Sequence, residues 1–266
     1  MNKMQIKIKK ENLKLLLIPV LTLLVILFAS VFLIIRYTAA NASLLAATVT
    51  RQLTTTNTKA TTISITPKYF VNLPVPFTPE APDGAMVKPW NNSCEEASLV
   101  MMDQYYSGNR SSTISKAIAK KSILAYIDIE NKIFGYNANT NAAEMTKLAN
   151  TYSKYFTAKT VTNPTLKQLK TELAAGRPII ALVYGFELHN QNIDFLTGGS
   201  YYHTFVIKGY DDKTNEFIVN DDGDIYHGLD LRYSYDTIMG ALRDYSHKLA
   251  KTVYPATVLF TSPKKP

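Results

Sequence analysis

The sequence predicts an α+β domain, with helices first, a mostly antiparallel sheet second, and a lone cysteine opening the first helix. Three observations carry this expectation. Apolar residues spaced three and four apart concentrate between residues 94 and 176, whereas alternating or continuous apolar runs concentrate after residue 178. Gly108, and then Gly176 with Pro178, stand where helices have to stop. Two strand-like runs, 202–210 and 216–220, are separated by the turn residues 211–215, which reads as a hairpin.

Each element follows from its residues. Residues 71–77 are extended and punctuated by proline, an edge strand or arm, and 79–90 form a loop holding Pro79, Pro82, Gly84 and Pro89. Residues 94–106 form a helix whose inner face is Ala97, Val100, Met101 and Tyr105. Ser93 and Glu96 fit a capping box at its start. Helices are expected at 112–126 and 141–155, and from Thr165 through Leu166, Leu169 and Leu173. The continuous apolar run 178–184 predicts a central strand. In 202–210, His203, Phe205 and Ile207 share one face and Tyr202, Thr204, Val206 and Lys208 the other. A helix over 234–249 and a strand over 256–261 complete the domain.

The chain of 266 residues is long enough for a substantial core. Leu15 to Ile35 carries no charge and has about the length of a membrane-spanning helix. Lys3, Lys7, Lys9, Lys10 and Lys14 precede it against one Glu11, so the positive-inside rule keeps residues 1–14 in the cytoplasm and sends the rest outside. The rival is a cleaved signal peptide ending near Ala40-Asn41-Ala42, which would give a secreted protein. The apolar run is too long for that, and Arg36 separates it from the site. Residues 36–68, rich in Ala, Thr and Asn, read as a flexible stalk, and 69–263 as the folded domain. One cysteine allows no disulfide within the chain. Of the net charge of +8, residues 1–14 hold +4 (five Lys minus Glu11), and the +4 left on residues 15–266 suits a polyanionic surface such as an envelope polymer or anionic lipid, with plain solvated charge the blander reading; no basic stripe interleaved with aromatics points to nucleic acid.

The chemistry gathers on three residues. Cys94 in a first helical turn would meet free N–H groups and the positive dipole end, which favour a thiolate; a structural buried thiol is the alternative. His203 starts one strand of the hairpin and Asp221 ends its partner, so antiparallel pairing brings them to one edge. Cysteine, imidazole and carboxylate in that order suit nucleophilic attack on a carbonyl. His203 as a packed core histidine and Asp221 as a turn residue are the plainer readings.

The segments Val75-Pro76-Phe77-Thr78-Pro79, Pro89-Trp90-Asn91-Asn92-Ser93-Cys94-Glu95-Glu96-Ala97-Ser98, residues 169–178, Tyr201-Tyr202-His203-Thr204 and Phe217-Ile218-Val219-Asn220-Asp221 resemble the papain-fold cysteine peptidase family related to the double-glycine leader peptidases of bacteriocin exporters. The closest likeness is to its stand-alone branch in bacterial envelope proteins. The resemblance spans nearly all of residues 70–260 and implies a papain-like fold, with a nucleophile helix packed on the sheet. It implies Cys94 as nucleophile, His203 as base and Asp221 as third member. Relatives usually carry Gln where this chain has Glu80, and an ionised carboxylate cannot donate to an oxyanion. A protonated Glu80, donation from Asn92 or Asn91, or a loop register that removes Glu80 from the site would each resolve the conflict.

Other chemistries lack their residues. His189, His203, His227, His247 and Cys94 show no metal-ligand spacing, Asp221-Asp222-Gly223-Asp224 is no EF-hand, Gly198-Gly199-Ser200 is no nucleophile elbow, and no phosphate-binding glycine loop occurs. No cofactor is expected. Tyr184, Tyr201 and Tyr202 are candidates to line a substrate groove, or to pack the sheet. The expected protein is a membrane-anchored extracytoplasmic cysteine peptidase or amidase acting on peptide, protein or cell-wall peptide. The alternatives are a weak or inactive module that binds peptide or envelope polymer, and a transglutaminase-like acyltransferase.

Overall fold

Strand β1 (Phe70–Asn72) is short because Leu73-Pro74 and Val75-Pro76 follow it, and proline cannot donate to a ladder. The computed structural model describes residues 69–193 and 201–265; the expected tail (1–14), anchor (15–35), stalk (36–68) and residues 198–200 lie outside these. Among the described residues no helix is long and apolar enough to cross a membrane.

Five helices and eight further strands follow β1 in the described residues. Helix α1 (Cys94–Tyr106) stops at Gly108, whose φ of 93° suits glycine. Helices α2 (Lys116–Ile133) and α3 (Ala142–Tyr152) precede β2 (Phe156–Thr162), and α4 (Leu166–Ala174) precedes β3 (Ile179–Tyr184). Asn141 and Thr165 each close a capping box, with Glu144 and Gln168. Then come β4 (Tyr202–Asp211), β5 (Glu216–Asn220), β6 (Leu231–Ser234), α5 (Tyr235–Ala241), the hairpin β7 (Asp244–Ser246) and β8 (Lys251–Val253), and β9 (Thr257–Pro263).

The main sheet runs β2-β9-β3-β4-β5-β6 with every pairing antiparallel, and β1 adds to the far end of β4. The expected α+β class, central strand β3 and hairpin β4–β5 are all present. Helices cover both faces. Ile180, Leu182, Tyr202, Val206 and Leu259 pack under α1, α2 and α3, whereas Ile179, Ala181, Phe205, Ile207 and Val258 pack under α4 and α5. Strand β4 is therefore buried on both sides over Tyr202–Tyr210, and its alternation separates two cores rather than core from solvent.

Several expectations need correction. The helix expected over 234–249 ends at Ala241. Arg243 N–H donates to Leu182 O on β3, and its guanidinium closes the exposed carbonyls of Gly240 and Leu242, so pairing with the sheet replaces further helix. The helix expected over 112–126 begins later, at Lys116, and runs on to Ile133. The helix expected over 141–155 ends at Tyr152, where the Ser153 hydroxyl turns the chain by accepting from the N–H groups of Tyr155 and Phe156. Strands β2 and β6 were not expected; β2 holds Lys159 and three threonines and takes its place by pairing along all of β9.

Candidate active site

The start of α1 is not built as a capping box. Ser93 makes no side-chain cap; its hydroxyl donates to Pro89 O at 3.0 Å across the one-turn 3-10 helix Trp90–Asn92. Glu96 instead lies buried and accepts from Asn137 Nδ2 at 2.7 Å. The acidic pair after Cys94 thus serves the interior rather than the helix end.

Strand β4 supplies the imidazole. His203 is 3% exposed, and its Nε2 meets Asp221 Oδ1 at 2.7 Å at the end of β5, as the antiparallel pairing predicts. Asp221 also accepts from the Tyr233 hydroxyl at 2.7 Å and from Gly223 N–H at 3.3 Å, and Asn190 Nδ2 donates to the Tyr233 oxygen at 2.9 Å. A Cβ at Gly223 would lie 2.9 Å from His203 Cε1, so only glycine admits the ring there. Burial pulls the imidazole pKa down. The charge and hydrogen bond of Asp221, with Glu80 and Glu95, outweigh it and hold His203 above the ordinary histidine value.

The sulfur sits among acids. Cys94 is 5% exposed and its thiol donates to Glu95 Oε2 at 3.1 Å. Glu95 Oε1 accepts from Thr140 N–H at 2.7 Å, and Thr140 O accepts from the Tyr202 hydroxyl at 2.7 Å. Burial, then Glu95, Glu80 and Asp222, push the Cys94 thiol well above the usual value. This runs against the expectation that the helix end keeps the sulfur anionic: burial first, and then the neighbouring carboxyls, oppose the dipole. The surroundings are nevertheless not an apolar core. Glu80 and Glu95 act on both the thiol and the imidazole, which places the two in one electrostatic neighbourhood.

Glu80 lies inside the site. It is buried, its Oε2 accepts from Ser93 N–H at 3.2 Å next to Cys94, and its own N–H donates to Asp222 O at 3.0 Å. Burial raises its pKa to about 7, against the opposing charge of His203. The alternative loop register is therefore excluded. Asn91 is exposed and Asn92 half-buried on the 3-10 turn.

A second acidic group lies beneath. Burial raises Glu95 to about 8, Glu130 to about 7, and Glu96 well above the carboxylate range. Asn137 Nδ2 donates to both Glu96 and Glu130, and each keeps one buried oxygen with no donor; a proton shared between them satisfies both. Asp222 accepts from the Ser98 hydroxyl at 3.0 Å, tying α1 to the Asp221 loop. Among the described residues, His203, Asp221 and Asp222 are the group that could hold a metal ion. The sequence reading missed Glu95 as the thiol's partner, together with Tyr233, Asn190 and Gly223. Glu95 adjoins the cysteine and was legible as such, whereas the other three reach the site only through the fold.

A sequence model described as the Peptidase_C39 like family matches residues 73–237. No curated protein matches the chain. Solved structures that align with the chain include a putative C39-like peptidase from Bacillus anthracis, at 18% identity and a TM-score of 0.45, covering 74% of this chain and 99% of that one. Another is xylellain, a cysteine protease from Xylella fastidiosa, at 14% identity and a TM-score of 0.46, covering 74% of this chain and 87% of that one.

Proposed function

This chain belongs to the C39-like peptidase family, and we propose that it hydrolyses peptide or amide bonds with Cys94 as nucleophile, His203 as base and Asp221 as the group that orients it. The observation that carries the reading is the buried 2.7 Å contact between His203 Nε2 and Asp221 Oδ1, in a neighbourhood shared with the α1 cysteine. The thiol proton passes to His203 as the sulfur bonds to the carbonyl carbon, and the carbonyl electrons become an oxyanion. That intermediate collapses, and the leaving amine takes the proton from His203. Water then attacks the thioester, giving its proton to His203, and the returning thiolate reclaims it.

Cys94 N–H and the protonated carboxyl of Glu80 are the proposed oxyanion donors, with Asn92 and Asn91 the lesser candidates. A neutral acid donates as the family's Gln would, but only at low enough pH. The base must be neutral while Glu80 is protonated, and His203 is raised while Glu80 sits at about 7. The two conditions pull in opposite pH directions. That favours a slow enzyme, and it supports as second reading a weak module that mainly binds peptide.

We also propose that the uncharged run Leu15 to Ile35, behind five lysines, anchors the domain outside the cytoplasmic membrane, where its substrates are envelope or cell-wall peptides. The test of catalysis is peptide cleavage by the full-length chain beside Cys94→Ala and His203→Ala. Cleavage by the parent and neither variant supports the assignment; equal cleavage by all three refutes it.

A further inference from the structure

The hydrogen bond of the nucleophile runs to the wrong group for the reaction. Among the described residues the Cys94 thiol bonds to Glu95 Oε2, at 3.1 Å, while the His203 ring meets Asp221 through Nε2 at 2.7 Å. A thiol that donates to a carboxyl keeps its proton, and that proton has to reach the imidazole before the sulfur attacks. Nor can Glu95 follow the sulfur. Its Oε1 accepts from Thr140 N–H at 2.7 Å, with the Thr140 hydroxyl at 3.5 Å, and Thr140 O accepts from the Tyr202 hydroxyl at 2.7 Å. Cys94, Glu95, Thr140 and Tyr202 are all buried.

The two groups belong to different networks. Tyr202 packs in the core under α1, whereas Tyr233, the second partner of Asp221, packs in the core on the opposite face of the sheet. The clamp on the thiol's side comes from one loop, between α2 and α3. Thr140 N–H holds Glu95, and Asn137 Nδ2 holds Glu96 and Glu130, so this loop fixes both acids that follow the cysteine. We propose that Glu95 is a positioning residue that holds the Cys94 thiol protonated in a resting orientation, and that a bound substrate exchanges this bond for one to His203 before attack. The proton stays on the sulfur during the exchange, and Glu95 neither gains nor loses one. The release step rests on the peptidase reading; the resting pair does not.

The test is alkylation of Cys94 by iodoacetamide across pH in the full-length chain, beside peptide cleavage. If the resting thiol belongs to Glu95, His203→Ala alkylates within about twofold of the parent at every pH, although it loses cleavage. Glu95→Gln keeps the shape, and its amide oxygen still accepts from Thr140 N–H; it should move the alkylation midpoint down by up to about one pH unit. Glu96→Gln neutralises the adjacent buried acid without touching the thiol and should leave the midpoint in place. Slowing of about tenfold or more in His203→Ala would show that the imidazole already holds the thiol at rest, and would overturn the proposal. Equal shifts in Glu95→Gln and Glu96→Gln would overturn it too, since general acidity would then suffice. The His203 and Glu95 arms decide separately, so a variant that fails to fold leaves the other to judge. In cleavage, Glu95→Gln should raise kcat, because the bond it weakens breaks after binding; a change confined to KM overturns the release step. If the parent cleaves nothing, the peptidase reading fails, and alkylation still decides the resting pair.

Discussion

The imidazole half and the thiol half of this site are built on opposite electrostatic terms. Around His203, the carboxylate in closest contact is well supplied with donors: His203, Tyr233 and Gly223 N–H all reach Asp221, while Asp222 Oδ1 stands 4.0 Å from the ring nitrogen. Around Cys94, acids outnumber donors. Glu80, Glu95 and Asp222 face the sulfur, and Glu96 with Glu130 lies beneath with oxygens left over. The Asp221 contact favours the imidazolium, whereas burial among crowded carboxyls favours the neutral thiol. The contrast shows that position at a helix N-terminus does not settle a cysteine's protonation. Burial of the sulfur, and then the acids buried around it, weigh against the helix end.

The comparison breaks most directly at the imidazole. His203→Ala is expected to lower kcat/KM by about 10²–10⁴-fold, the usual worth of a positioned acid–base group. Retained activity would mean that Glu95, already the thiol's hydrogen-bond partner, serves as the base.

Glu80→Gln sharpens the thiol half. Glu80 has to be protonated to donate, so activity should fall as pH rises through about 7. At pH 8 about nine-tenths of the parent would carry the charged form, and the Gln variant is expected to be about tenfold faster there. That alkaline fall should vanish in the variant, as read from pH profiles of kcat/KM; an unchanged profile would remove Glu80 from the oxyanion site.

Glu95→Gln tests whether carboxylate charge sets the thiol. With Glu95 near 8, its ionised fraction opposes the thiolate, and a neutral amide does not. Alkylation of Cys94 by iodoacetamide at pH 8 should therefore speed up by about three- to tenfold, in line with a shift of up to one pKa unit.

The smallest effect concerns stability. Glu130 and Glu96 have folded pKa values above the ordinary 4.5, so the stability they add is present below that value and is lost as pH rises through their folded values, about 7 for Glu130. The domain should melt several degrees higher at pH 5 than at pH 8, at about 2–4 °C per kcal/mol. Glu130→Gln should flatten that slope, which thermal melts across pH would reveal.

Much of this could be read along the chain, because local pattern reports local structure. Gly176 and Pro178 mark the end of α4 and the start of β3, and the turn 211–215 sets the hairpin that joins His203 to Asp221. The helix expected over 234–249 failed because its second half trades helical bonds for pairing of Arg243 with β3, a contact between residues about sixty positions apart. Strand β2 escaped notice for the same kind of reason: its sequence is polar, and β9 supplies its partner.

The order of side chains along the polymer was enough to name the α+β class, the family likeness and the residues Cys94, His203 and Asp221, since spacing and periodicity are properties of neighbours. The protonation of the thiol and the place of Glu80 depended on folding. Each is set by burial and by charges that distant segments bring together, and desolvation has no signature in a linear string of residues.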